Sequence, residues 1–259
     1  MSKAMLIDTS KCIGCRACQV ACKQWHELPA EYTEQRGTYE NPPELSASTW
    51  TRVLFFEDYG EWLFRKHQCM HCAEASCVKV CPTGAAHKEG PFTIIDQEWC
   101  IGCGYCVEAC PFGAVHREPP RGTARKCVFC IDRVTNGLKP ACATACPTGA
   151  IQFGERGDLI AYAHRRVAEL VASGYSQARL YGEKELGGLA QMYILIKPPS
   201  EVGLPEEPRV ATTTVLAQWL GGIATAGAIA ALPFWLLFRR RKELLEEEKH
   251  SKVRGGKND

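Results

Sequence analysis

The pattern of apolar and polar positions divides this chain of 259 residues into a mixed soluble part and one long apolar segment. The segment from Val215 to Phe238 is twenty-four residues long without a charge, and Arg239-Arg240-Arg241-Lys242 ends it abruptly. A helix of that length can cross a bilayer, and the basic end argues against a buried core helix. The pattern therefore predicts a single transmembrane anchor.

The soluble part shows short strand patterns and one clear helix pattern. Residues rich in β-branched and aromatic side chains predict strands at Thr51–Phe56 and Gln191–Lys197. A covering helix is predicted to begin with Asp158 as its cap and to end at Gly174. The apolar residues that recur at helical spacing between them are Leu159, Ala163, Val167, Leu170 and Val171.

Sixteen cysteines form four groups of four, with none left over. Groups one and three share the run C-x2-C-x2-C-x3-C, which is the bacterial ferredoxin spacing for [4Fe–4S] clusters. Groups two and four are looser, at C-x2-C-x4-C-x3-C and C-x2-C-x11-C-x3-C. The four groups predict four [4Fe–4S] clusters. In chain order they are Cys12, Cys15, Cys18, Cys22; Cys69, Cys72, Cys77, Cys81; Cys100, Cys103, Cys106, Cys110; and Cys127, Cys130, Cys142, Cys146.

Structural zinc sites and a disulfide framework are the two alternatives to clusters for these cysteines. Structural zinc prefers paired knuckles separated by a loop, and the tight three-cysteine runs fit that arrangement poorly. Groups two and four would fit zinc if taken singly. Cross-ligation between clusters pairs the groups, however, so groups one and three need groups two and four as cluster-binding partners. A disulfide framework suits short chains with little core, whereas this chain has 46% hydrophobic residues. Clusters are the favoured interpretation.

Internal repeats point to the same unit. Ile7-Asp8 and Ile95-Asp96 stand in the same register before groups one and three, and both groups begin Cys-Ile-Gly-Cys. Groups two, three and four each end in Cys-Pro-x-Gly-Ala, which predicts a turn into a short strand. Group one has Lys23 in place of the proline, which predicts a helix that continues. The repeated unit is strand, ligand loop, short helix and strand, a half-ferredoxin in the α+β class.

In two-cluster ferredoxins the fourth cysteine of a group binds the neighbouring cluster. The same scheme here pairs groups two and three in one module and groups one and four in a second module that surrounds it. The alternative is that each group closes its own cluster. Under cross-ligation the four sets are Cys12, Cys15, Cys18 and Cys146; Cys22, Cys127, Cys130 and Cys142; Cys69, Cys72, Cys77 and Cys110; and Cys81, Cys100, Cys103 and Cys106.

These patterns predict two interleaved ferredoxin-like modules and a C-terminal transmembrane helix. Residues 1–24 and 125–155 form the first module, and residues 67–124 form the second. The remaining segments are an insertion at 25–66, a covering helix and strand segment at 156–209, the anchor at 210–238 and a charged tail at 239–259.

The basic residues after the anchor predict a cytoplasmic C-terminus, because positive residues remain inside. The cluster domain would then lie on the outer, periplasmic face of the membrane. Residues 1–11 have no apolar signal region, so we expect export in the folded state with a partner that carries a twin-arginine signal.

The chain resembles the four-cluster iron–sulfur subunits of molybdopterin oxidoreductases, and within them the β subunit of membrane-bound formate dehydrogenase. The resemblance extends from about Leu6 to Phe238 and rests on the cysteine groups, Tyr39–Ser46 leading to Trp50, Gly187–Tyr193 and the anchor. Relatives of nitrate reductase have a tryptophan at the position of Cys103 and a three-iron cluster, so Cys103 disfavours that branch.

The resemblance implies a non-catalytic electron-transfer subunit with no catalytic residue of its own. A partner α subunit with a molybdenum or tungsten pterin would oxidise formate, and electrons would pass through four [4Fe–4S] clusters to a membrane cytochrome b and quinone. The first module is expected to face the catalytic subunit, and the second module the membrane.

Other functional classes remain open from the sequence. The chain also fits the cluster subunit of a membrane hydrogenase or sulfur-compound reductase, a free-standing membrane polyferredoxin, or a zinc-binding interaction module. The net charge of +2 gives no case for nucleic acid. His71 is interpreted as a residue supporting a ligand or as a surface residue, and Lys23, Lys79 and Lys126 as solvated lysines.

Overall fold

The computed structural model describes residues 2–58, 61–118, 122–213 and 215–255. The chain divides into two units, one ending at Thr212 and the other beginning at Thr213. The strands are β1 (Lys3–Asp8), β2 (Thr51–Asp58), β3 (Glu61–Gln68), β4 (Ala86–Glu89), β5 (Phe92–Ile95), β6 (His116–Arg117), β7 (Ala124–Arg125), β8 (Ile151–Glu155), β9 (Arg179–Tyr181) and β10 (Gln191–Leu195). The α-helices are α1 (Ala17–Trp25), α2 (Ser76–Lys79), α3 (Tyr105–Glu108), α4 (Ile131–Thr135), α5 (Ala141–Thr144), α6 (Arg156–Ala172) and α7 (Val215–Gly255).

A four-stranded sheet in the order β8-β1-β10-β9 joins the two ends of the cysteine-bearing segment. Strand β1 pairs antiparallel with β8, with Ile7 opposite Ile151, and parallel with β10, with Leu6 beside Met192. Because β1 precedes group one and β8 follows group four, the sheet brings those two groups together. One face of the sheet packs against α6 through Ala163, which is fully buried.

Groups two and three lie among two-stranded hairpins. Strands β4 and β5 form one antiparallel pair, and β6 and β7 form another. A third and longer hairpin, β2–β3, comes from the insertion before group two. Short helices carry cysteines in each group: α1 holds Cys18 and Cys22, α2 holds Cys77, α3 holds Cys106 and α5 holds Cys142.

Several predicted elements are confirmed, with shifted bounds. Helix α1 continues past Lys23 as expected, and the strand predicted at Thr51–Phe56 extends to Asp58. The cap predicted for α6 is wrong: the helix begins at Arg156 after Glu155, so Asp158 lies inside its first turn. An acidic residue is also favourable there, because it faces the positive end of the helix dipole.

The second unit contains the apolar helix α7. Within its stretch from Trp219 to Glu247, a window of 18 residues has a mean hydropathy of 1.8, so the helix is long and apolar enough to cross a membrane. The helix does not end at the basic residues after Phe238. Arg239 pairs with Glu243 one turn later at 3.2 Å, an arrangement that supports a helix in the charged segment.

Candidate iron–sulfur sites

The first loop of every cysteine group has the same backbone conformation. The residue two places after the first cysteine has a positive φ in all four groups: Gly14 (68°), His71 (47°), Gly102 (68°) and Phe129 (60°). A left-handed backbone is usual for glycine and uncommon for large side chains. The N–H groups of His71 and Phe129 donate to the first sulfur of their groups, Cys69 and Cys127, each at 3.4 Å. The four loops are therefore structural equivalents despite their different sequences.

Three cysteines of group one share a cavity with the last cysteine of group four. Cys12, Cys15, Cys18 and Cys146 line one small cavity, and Lys66 forms part of its wall. The fourth cysteine of group one is not among the lining residues. The apolar side chains around the cavity are Ile7, Ile13, Val53 and Ile151.

A second cavity repeats this arrangement with groups two and three. Cys100, Cys103 and Cys106 line another small cavity together with Cys81, the last cysteine of group two. Backbone N–H groups point at two of these sulfurs: Ala86 donates to Cys81 at 3.4 Å, and Ala124 donates to Cys100 at 3.3 Å. Such donors stabilise a thiolate ligand and raise the reduction potential of a cluster.

Three cysteines of group four, Cys127, Cys130 and Cys142, and the fourth cysteine of group one, Cys22, influence one another electrostatically, and we call them the third set. Burial raises the pKa of Cys22 to about 11, and the neighbouring thiolate of Cys142 contributes to the rise. Burial likewise raises the pKa of Cys130 to about 12, with contributions from Cys142 and Cys22. Burial also raises the pKa of Cys127, and Cys22 makes the next largest contribution to that rise.

Three cysteines of group two, Cys69, Cys72 and Cys77, and the fourth cysteine of group three, Cys110, also influence one another electrostatically, and we call them the Cys69 set. Burial raises the pKa of Cys77 to about 12, and Cys69 and Cys110 contribute to that rise. Burial and then Cys69 also raise the pKa of Cys110, whose sulfur accepts a hydrogen bond from the N–H of Ala114 at 3.5 Å.

Cysteines of different sets also contribute electrostatically to one another's pKa values. Burial raises the pKa of Cys18 to about 12, and Cys142 of the third set contributes while Lys66 opposes the rise. Cys69 contributes in the same way to the raised pKa of Cys127, after burial and Cys22. Cys106 contributes to the raised pKa of Cys77, after burial, Cys69 and Cys110. These electrostatic contributions link the first cavity with the third set, the third set with the Cys69 set, and the Cys69 set with the second cavity.

These residues fit [4Fe–4S] clusters, which four cysteine thiolates hold. Each set offers four sulfurs, and backbone donors accompany several of them. All sixteen thiols are free, so the cysteines do not form the disulfide framework that was weighed as an alternative. Within residues 2–58, 61–118, 122–213 and 215–255, no group of three or more His, Cys, Asp or Glu residues is placed to hold a metal ion.

Three buried charged or polar residues near the cysteines were missed or misjudged from sequence. His71 is 1% exposed, so its interpretation as a surface residue is wrong, and burial lowers its pKa. Lys126 is 2% exposed and donates to the carbonyl oxygens of Thr93 and Cys127, so it is not a solvated lysine. Lys79 is exposed as expected and pairs with Glu74. Lys66 was not identified at all, although it is fully buried.

Lys66 has an electrostatic environment dominated by sulfur. Burial by itself lowers the pKa of Lys66, but the thiolates of Cys142, Cys18 and Cys127 outweigh that effect, so the pKa is raised. No signal in the sequence marked this residue, because its position depends on how the β2–β3 hairpin packs on the cysteine groups.

The fold and the cysteine sites define the protein as a ferredoxin-type iron–sulfur protein. Residues 60–156 match a family model described as a 4Fe-4S dicluster domain, and residues 11–85 match a second model with the same description. Both matches include cysteines from more than one group. The predicted class of mixed helices and strands with 4Fe–4S dicluster domains and one apolar C-terminal helix is confirmed.

Comparison with known proteins narrows the class to one family. The nitrate-inducible formate dehydrogenase iron–sulfur subunit of Escherichia coli K12 is 43% identical over 239 residues, covering 88% of this chain and 81% of the relative. The formate dehydrogenase-O iron–sulfur subunit of the same organism is 44% identical over 219 residues, covering 81% and 73%. The formate dehydrogenase subunit beta of Megalodesulfovibrio gigas is 39% identical over 197 residues, covering 70% and 88%.

This chain belongs to the family of formate dehydrogenase iron–sulfur subunits. It is therefore a non-catalytic subunit that transfers electrons through 4Fe–4S clusters. The predicted resemblance is confirmed over most of the chain.

Proposed function

We propose that this chain relays electrons from a catalytic subunit, which oxidises formate at a molybdenum or tungsten pterin, to a membrane cytochrome b and quinone. The observation that carries the proposal is the 43% identity with a formate dehydrogenase iron–sulfur subunit over 88% of the chain. The apolar helix α7 supports a membrane location. A [4Fe–4S] cluster supplies one-electron transfer when it is bound.

We propose that the sixteen cysteines hold four [4Fe–4S] clusters by cross-ligation between groups. The two cavities support this assignment, because each is lined by three cysteines of one group and the last cysteine of another. The shared influence of Cys22 and Cys142 on neighbouring thiols supports the third set, and that of Cys69 and Cys110 supports the fourth. The order of the clusters then follows the electrostatic contributions that link the sets, from the Cys12 set to the Cys81 set.

The boundaries of the two modules and the direction of the relay remain predictions. Within the cluster-bearing unit, the N–H of Ala211 donates to the hydroxyl oxygen of Ser76, which precedes Cys77, at 3.2 Å. We propose that the second module is the end of the relay towards the membrane and that the first module is the end towards the catalytic subunit.

The membrane orientation is also part of the proposal. The run Arg239–Lys242 follows the apolar stretch directly, which favours a cytoplasmic C-terminus and a cluster domain on the opposite face. A protease added to sealed spheroplasts should then digest the cluster domain and leave a tag after Asp259 intact. Digestion of the tag alone would show that the orientation is the opposite of the one proposed.

The test of the main proposal is isolation of the native complex through a tag fused after Asp259. We expect a co-purifying large subunit that contains molybdenum or tungsten, and reduction of a viologen dye by formate. A brown complex that reduces the dye with hydrogen or oxidises no formate would contradict the assigned substrate. A matched preparation with Cys130→Ala should lose electron transfer to quinone while the large subunit still reduces dye.

A further inference from the structure

Lys66 is a lysine buried without a hydrogen-bond partner. It lies on β3, opposite Val53 of β2, and only 1% of its surface is exposed. Its Nζ atom has no partner among the atoms that the structure describes. A buried ammonium group costs several kcal/mol unless a negative charge compensates for it, so its position requires an explanation.

The backbone, and not the ammonium group, fixes this lysine in place. The hydroxyl of Tyr193 donates to the carbonyl oxygen of Lys66 at 2.7 Å, and β3 is paired along its length with β2. The side chain lines the cavity formed by the Cys12 set, and after burial the largest electrostatic contributions at Lys66 come from Cys142, Cys18 and Cys127. In the described part of the chain, no carboxylate forms an ion pair with it.

Unlike Lys66, two other lysines near the cysteines donate hydrogen bonds from their ammonium groups to backbone carbonyl oxygens. The Nζ atom of Lys126 donates to Thr93 and Cys127 carbonyl oxygens, and that of Lys88 donates to the carbonyl oxygens of Cys72 and Pro91 at 2.9 and 3.0 Å. Those ammonium groups hold the backbone together. Among the described residues the Nζ atom of Lys66 has no such carbonyl partner, and three cysteines make the largest electrostatic contributions at its charge.

We propose that Lys66 is a fixed counter-charge between two clusters, those of the Cys12 set and the Cys22 set, and that it raises the reduction potential of both. This inference rests on the proposed cluster ligation. A cluster held by four thiolates is anionic and gains one further negative charge on reduction. A positive charge in a low-dielectric interior favours the reduced form, and solvent does not screen it.

The test measures reduction potentials directly, so it does not depend on formate. The full complex carrying Lys66→Met, Lys66→Gln or Lys66→Arg is titrated with redox mediators while the reduced clusters are followed by electron paramagnetic resonance. For two of the four clusters, Lys66→Met should lower the ratio of reduced to oxidised form at a fixed applied potential about tenfold. For a one-electron couple that is a shift of about 59 mV. Lys66→Arg should keep both potentials near their native values.

The matched control is Lys23→Met. Lys23 adjoins Cys22 in sequence but is only half-buried, and its Nζ atom donates to the carbonyl oxygens of Pro29 and Ser48 at 2.9 and 3.1 Å. The same loss of charge there should leave the ratio almost unchanged, because solvent screens the group. Equal shifts in the two variants would overturn a specific role for Lys66.

Each outcome decides the inference. Unchanged potentials in Lys66→Met, with four clusters present, would overturn it. If both neutral variants lose two clusters while Lys66→Arg keeps all four, the charge is required and the inference stands. If Lys66→Arg loses the same clusters as the neutral variants, the role of Lys66 is packing, and the inference fails. A complex that oxidises no formate but shows the predicted shifts would refute the substrate and retain this inference.

Discussion

Groups one and three have identical cysteine spacing and identical first four residues, yet the protein surrounds them differently. The cavity of group one has Arg16 and Lys66 in its lining, whereas the described residues that line the cavity of group three are all uncharged. Asp8 before group one is fully buried, whereas Asp96 before group three is half-buried and its carboxylate accepts from the nearby N–H groups of Glu98 and Trp99.

The difference shows which properties are set by spacing and which by surroundings. Spacing determines that both groups can hold the same cluster, since the same ligands lie in the same loop conformation. Charge, burial and hydrogen bonds then set the potential of each cluster and the stability of its loop. A relay needs both properties, because identical clusters with identical potentials would have no preferred end.

The largest expected effect comes from removing two cysteines at once. Under cross-ligation, Cys22 and Cys142 are two of the four ligands of the same cluster. The double variant Cys22→Ala with Cys142→Ala should therefore lose that cluster and keep three. The matched pair Cys22→Ala with Cys18→Ala affects two clusters, so only two should remain. Iron and acid-labile sulfide analysis, with spin quantitation of the reduced complex, distinguishes these results. The opposite counts would mean that each group closes its own cluster.

Acidification should release clusters from both groups. Burial raises the pKa of Cys18 to about 12 and, with help from Cys100 and Cys103, that of Cys106 to about 11. Below those values the free thiols hold protons, so cluster binding must release protons and weakens as the pH falls. We expect the brown visible absorption to disappear faster at about pH 5 than at about pH 8. Equal rates at the two pH values would contradict this linkage.

Spacing made the 4Fe–4S dicluster class predictable, because ligand loops are local in sequence. The apolar helix α7 was predictable for the same reason, and so were strands rich in β-branched residues such as β2. Strand β3 was not, since Glu61, Arg65, Lys66 and His67 break its apolar pattern. The burial of Lys66 follows from long-range packing of that hairpin beside the cysteines, and no local pattern records it.

Substitutions at the equivalent loop glycines Gly14 and Gly102 should have effects of intermediate size. Gly14 and Gly102 have the same φ of 68°, so alanine at either position is strained by about 1–2 kcal/mol. A Cβ atom at Gly102 would also lie 2.3 Å from the carbonyl oxygen of Gly122, whereas one at Gly14 would lie 2.9 Å from the ring of Phe64. A ring can rotate aside more easily than backbone can move.

We therefore expect Gly102→Ala to lower the temperature of cluster loss more than Gly14→Ala does. The measurement is loss of visible absorption on heating under anaerobic conditions. A double variant, Gly14→Ala with Phe64→Leu, should recover part of the loss at group one. A larger effect of Gly14→Ala than of Gly102→Ala would show that the Phe64 ring is held more rigidly than the backbone at Gly122.

The smallest expected effect concerns the repeated aspartates. Asp8 accepts hydrogen bonds from the N–H of Ser10 at 3.0 Å and from Arg166 at 3.2 Å, and its carboxylate is fully buried. Asp96 accepts only from the N–H groups of Glu98 and Trp99. Asp8→Asn removes the charge that Arg166 faces and should lower the free energy of unfolding by about 1–2 kcal/mol. Asp96→Asn should change it by less than about 0.5 kcal/mol. Thermal unfolding of the intact complex measures both, and equal losses would mean that the ion pair with Arg166 contributes nothing to the difference between the two repeats.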